Sequence, residues 1–128
     1  MIRTVEQQRS GFAHRCVDEV MDLAKPANYK SLVKKFPLMV LRNGLLQAVA
    51  FIESKKKEHH EKLLTHLETY LREHSPLQLD IDESISLSDF LSNLDANLYR
   101  AITTDILAFA KWLSRYAEAK IEGEGDEE

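Results

Sequence analysis

Residues 95–121 read DANLYRAITTDILAFAKWLSRYAEAKI. Leu98, Ile102, Ile106, Phe109, Leu113 and Ala117 recur at steps of four, four, three, four and four. That period puts all six on one face of an α-helix. Asp95 stands where an N-cap belongs, able to accept from the free backbone N–H groups of the first turn. Gly123 lies just past the last periodic residue, where helices commonly stop. Arg100, Lys111, Arg115 and Lys120 fall on the polar side, with Trp112 beside the stripe. The stretch therefore predicts a long final helix, anchored along one face and basic towards its end. Phe109 and Leu113 are expected in the core, against the apolar run at residues 45–52.

The rest of the chain continues in the same period. A first helix is predicted over residues 4–25, with Thr4 and Gln7 at capping-box spacing. Phe12, Ala13, Cys16, Val17, Val20, Leu23 and Ala24 form its apolar face. Pro26 ends it, because the residue before a proline is pushed out of α geometry. Asn28 is the expected cap of a second helix through Tyr29, Leu32, Val33 and Phe36, which should kink or restart at Pro37. Asn43-Gly44 is a stop signal. Residues 45–52 are apolar except for Gln47, which marks a central helix. ESKKKEHH at 53–60 reads as a turn or exposed helix end, with surface histidines. Leu63, Leu64, Leu67, Tyr70 and Leu71 restore helical spacing until Ser75-Pro76. Leu77, Leu79 and Ile81 alternate; a lone strand would leave its backbone groups unpaired, so they are expected to pin an extended connector. Leu87, Phe90, Leu91 and Leu94 make a short helix before the long one. The expected fold is all-α: a compact single-domain bundle of about five to seven helices with a long C-terminal helix. Residues 1–121 form the helical domain, and 122–128 an acidic disordered tail.

Composition narrows the function. The chain has 128 residues, enough for one domain with one core. No run approaches the roughly 18 apolar residues of a membrane span. The opening MIRTVEQQRS lacks the apolar core of a signal peptide. A single cysteine, Cys16, excludes an internal disulfide and suits a cytoplasmic location; its place on an apolar stripe predicts an inert, buried thiol. His60 and His66 are six apart, whereas a zinc-protease helix needs four. His59 and His66 share a face, but no carboxylate or cysteine set completes a metal shell. Asp80, Asp82 and Glu83 lack the glycine turn and closing glutamate of a calcium loop. No serine has a partnered base legible in the sequence. The expectation is a protein without catalytic residues, metal or cofactor.

What remains is a basic face. Net charge is −4, yet residues 1–62 carry +5 and residues 63–128 carry −9. Lys30, Lys34 and Lys35 lie on the second helix with Arg42 near its end, and Lys111 and Arg115 lie four apart on the last. Lysine and arginine without a reading helix rich in Asn or Gln point to phosphates rather than base edges. A protein-only adaptor, its basic face against an acidic partner, is the alternative from another class.

The order Leu98-Tyr99-Arg100-Ala101-Ile102-Thr103, Leu107-Ala108-Phe109 and Trp112-Leu113-Ser114-Arg115-Tyr116-Ala117-Glu118-Ala119 resembles the C-terminal helix of one family. That family is the small helical subunit of the Cmr complex, the type III-B CRISPR RNA-guided effector. Tyr29-Lys30-Ser31-Leu32, Lys34-Lys35-Phe36-Pro37 and the run from Asn43-Gly44 to Ala50-Phe51 resemble its upstream segment. The resemblance covers residues 5–53 and 97–120; the middle is only generically helical. It implies an all-α bundle and a non-catalytic subunit present in several copies, stacked along the guide RNA–target RNA duplex beside other Cmr subunits. It also implies a monomer when isolated. Lys30, Lys34, Lys35, Arg42, Lys111 and Arg115 are the expected RNA-facing cations. Guide pairing supplies the sequence information, so such a subunit needs only to hold backbone geometry.

Overall fold

A computed structural model describes residues 1–126. Among them are six α-helices, one π-helical turn and no strand. The helices are α1 (Val5–Val20), α2 (Pro26–Asn43), α3 (Leu45–Lys55), α4 (Glu58–Thr69), α5 (Leu87–Ser92) and α6 (Ala96–Lys120). The π turn, Tyr70–His74, continues α4. No described helix is long and apolar enough to cross a membrane.

Capping residues set several of the boundaries. Thr4 Oγ1 accepts from the Gln7 N–H, and the Gln7 side chain accepts from the Thr4 N–H. Asp95 accepts from the Leu98 N–H at 2.9 Å, and Ser86 from the Asp89 N–H. Gly44 separates α2 from α3 at φ 87 and ψ 158, a conformation that belongs almost wholly to glycine. The sequence misplaces other details. α1 stops at Val20, not at Lys25, because residues 21–23 tighten into bonds back to residues 18–20. Pro26 starts α2 from its first turn, where its missing N–H costs nothing. Asn28 is therefore inside the helix, and its buried side chain serves another contact. α2 runs through Pro37 without a break. Burial of Leu32, Val33, Phe36 and Val40 on both sides of the proline outweighs one missing backbone bond.

The core is built on α6. It runs parallel to α1: Arg9 meets Asp105, and Asp18 meets Lys120. It runs antiparallel to α2: Lys34 meets Glu118, and the Tyr99 hydroxyl accepts the Leu46 N–H just past the end of α2. Phe109 and Leu113 are fully buried. The Phe109 ring stacks on Tyr70 and Phe12, with centroids 4.2 and 5.6 Å away. α3 packs on α2, α4 and α5. Leu77, Leu79 and Ile81 pack against the core from the connector.

The histidines of α4 are a further correction. His59, His60 and His66 are buried, not solvated. With Leu63 and Leu67 they form the inward stripe of α4, and the charged flanks of residues 53–58 hid that period. Tyr29 and His66 are joined at 2.6 Å between the hydroxyl and Nδ1. Among the described residues, no group of His, Cys, Asp and Glu is arranged to hold a metal. Cys16 is buried, and burial pushes its thiol well above the ordinary range.

Candidate nucleic-acid interface

Antiparallel packing of α2 and α6 decides which of the six expected cations come together. Lys34 Nζ sits 2.7 Å from Glu118 Oε2, and this pair holds the Glu118 carboxyl below its ordinary value. Lys111 and Glu118 are seven residues apart, two turns of α6, so they share a face. Lys34 therefore flanks the rib of α6 that carries Lys111 and Arg115. Lys111 and Arg115 are both exposed. They line a shallow hollow with Arg9 and Glu6 of α1 and with Ala108 and Trp112.

The other three are placed differently. Lys35 and Arg42 are exposed and seven apart on α2, on a line leaning towards α3. Lys35 borders a hollow with Leu32, Met39, Ala48 and Phe51. Lys30 is half-buried and points elsewhere: its Nζ donates to the carbonyls of Ile121 and Gly123, both at 2.9 Å. It thereby satisfies backbone acceptors at and just past the end of α6, and favours the negative pole of the helix dipole. Its charge serves the fold first.

Sequence reading missed two features of this side. Arg9 lies beside Lys111 and Arg115, but its guanidinium is committed to buried Asp105, 2.9 Å away. Only the i, i+4 spacing of Asp105 with Phe109 hinted that Asp105 faces inward. The second is the chain after α6. Residues 122–126, expected as part of a disordered tail, are hydrogen-bonded to α2. The Gly125 N–H donates to Ser31 Oγ, the Asp126 N–H donates to Asn28 Oδ1, and Lys25 pairs with Asp126. Glu127 and Glu128 lie outside the described residues.

The arrangement can bind anions by charge through its exposed lysine and arginine side chains.

Comparison with known proteins gives this surface a context. The sequence matches the family described as CRISPR-associated protein (Cas_Cmr5) over residues 5–120. It is 31% identical over 114 residues to the CRISPR system Cmr subunit Cmr5 of Thermus thermophilus, covering 87% of this chain and 93% of that one. It is 31% identical over 126 residues to the subunit of the same name from Thermotoga maritima, covering 98% and 92%. A crystal structure of a Cmr5 family protein from Thermus thermophilus superposes with a TM-score of 0.79 at 29% identity, covering 94% of this chain and all of that one. Sequence and fold agree over nearly the whole length, and the chain belongs to the Cas_Cmr5 family of CRISPR-associated proteins.

Proposed function

We propose that this chain is a non-catalytic small subunit of a type III-B CRISPR Cmr ribonucleoprotein in antiviral defence. In this role it holds target RNA by contacts to the backbone, in copies stacked along the guide RNA–target RNA duplex, while other subunits cleave. Family membership and the two curated Cmr subunits support the assembly. The observation that supports the RNA reading is that Lys34, Lys35, Arg42, Lys111 and Arg115 all reach solvent on α2 and α6, two helices packed side by side. Guide pairing recognises sequence, so cations that meet phosphates are sufficient for the task.

The test is target-RNA retention by a reconstituted complex carrying Lys35→Glu, Lys111→Glu and Arg115→Glu. None of these three side chains belongs to the buried core. Retention should fall uniformly across target sequences. The dependence of log affinity on log salt should flatten by about one unit for each phosphate no longer neutralised. A complex that assembles normally and keeps both retention and salt slope would overturn the assignment of this face.

A further inference from the structure

We infer that residues 122–126 form a docked acidic strap that competes with RNA phosphate for the lysines of α2. The inference rests on reading α2 as an RNA-facing surface. The strap reaches α2 by its backbone, and Asp126 pairs with Lys25 just before the helix. Gly125 and Asp126 give their N–H groups to Ser31 Oγ and Asn28 Oδ1, at 3.0 and 2.9 Å. Asn28 is itself 4% exposed, so the acceptor is held rigidly in the α2 surface. A side chain at position 125 has no room: a Cβ there would lie 2.9 Å from the Ala27 carbonyl oxygen, a backbone atom that cannot step aside. Glycine is what lets the chain come this close. Once seated, the segment brings its acids to the cations. Lys25 Nζ is 3.0 Å from Asp126 Oδ2, and Glu124 and Asp126 border the same hollow as Lys30, Lys34 and Lys35.

The strap is weakly held. The Lys25–Asp126 pair is more than half exposed on both sides, a setting in which ion pairs contribute little and are screened by salt. A polyanion offering many phosphates can displace it, and the released segment would then leave the α2 lysines to RNA. Displacement also breaks internal ion pairs, so fewer counterions are released overall than on a bare surface.

The experiment measures binding of a long unstructured single-stranded RNA at several salt concentrations. It compares the wild-type chain, Gly125→Val, a chain ending after Gly123, and each of these with Lys34→Gln and Lys35→Gln added. Gly125→Val is decisive because it keeps every charge and removes only the fit. Amide hydrogen exchange at Asp126 reports docking. Gly125→Val should lose protection at Asp126, bind RNA about threefold tighter at low salt, and show a steeper salt slope. The shortened chain should do the same, and the two glutamines should cancel the gain. If Gly125→Val binds RNA as wild type does while the glutamines weaken binding, the strap idea falls and the α2 reading stands. Protection at Asp126 that survives Gly125→Val would also sink it, since the notch would not be what holds the segment. If the glutamines change nothing in any background, the α2 reading fails and the strap fails with it.

Discussion

His66 shows how one buried side chain ties stability to pH. Burial disfavours its charged form and holds it down to about 4 from an ordinary 6.5, against the opposing pull of Glu19 and with a smaller push from Lys62. The ring is held between its neighbours: the Tyr29 hydroxyl and Nδ1 share a hydrogen bond at 2.6 Å, and Nε2 faces Glu19 at 3.6 Å. Because the folded form binds its proton only at lower pH, the unfolded chain carries more protons between about 6.5 and 4. Stability from this residue is complete above that window and is lost as pH falls through it, on the order of 3 kcal/mol in all. Urea unfolding from pH 7.5 to 4.5 should show the decline, and His66→Gln should flatten much of it. His74, lowered by burial and by Arg15, leaves a smaller slope behind. A His66→Gln profile parallel to wild type would assign the pH dependence to other groups. The sequence could not supply this, because HH at 59–60 beside KKKE reads as surface until the α4 stripe is seen in three dimensions.

Asp105 acts between elements. Its carboxylate is 4% exposed and takes three donors: Arg9 Nη2 of α1 at 2.9 Å, Tyr70 OH of the π turn at 2.5 Å, and Ser75 Oγ just after that turn at 2.6 Å. Burial and the Asp105 charge both push the Tyr70 phenol up, so it stays a donor. One residue on α6 therefore fixes the position of α1 and of the chain leaving α4. The π turn is part of the device, since its wider winding sets the register of Tyr70 and Ser75. Asp105→Ala would strand a part-buried guanidinium and two hydroxyls at once, and should cost about 3 to 5 kcal/mol in urea unfolding. Asp105→Asn keeps an acceptor and should cost less. A loss below about 1 kcal/mol for alanine would mean that water reaches all three donors. At this scale the sequence was legible where a rule is local. The α6 stripe, the caps at Thr4 and Asp95, and the stop at Gly44 follow from spacing and backbone chemistry. The π turn and the continuity of α2 through Pro37 were not legible, because both are decided by partners far away in the chain.

At the scale of the molecule, the six expected cations were visible as residues but not as a surface. Spacing along α2 and α6 cannot show that the helices are antiparallel, that Lys30 closes the end of α6, or that residues 125 and 126 hydrogen-bond to α2 beside its lysines. The same surface bears on association. Leu38 and Leu41 of α2 are 50% and 71% exposed, and Phe51 of α3 is 42% exposed. Apolar groups like these invite contact, yet Lys34, Lys35 and Arg42 stand among them. A closed two-fold pairing through this patch would bring each cluster of cations against its own copy, and like charges placed face to face are unfavourable. A head-to-tail contact escapes that repulsion, because the second copy can offer acidic surface such as Asp80, Asp82 and Glu83, all exposed. Such a contact does not close on itself, and exposed ion pairs give it little strength. The isolated chain should therefore run as a monomer of 14.7 kDa at micromolar concentration, measured by light scattering at moderate salt. Long single-stranded RNA, which neutralises the cations and lines up neighbours, should produce ordered multiples of that mass. Charge reversal at Lys35 and Arg42 should weaken the RNA-driven assembly without creating a dimer. A stable two-chain species in the absence of RNA would show that the exposed leucines close a two-fold interface in spite of the charges around them.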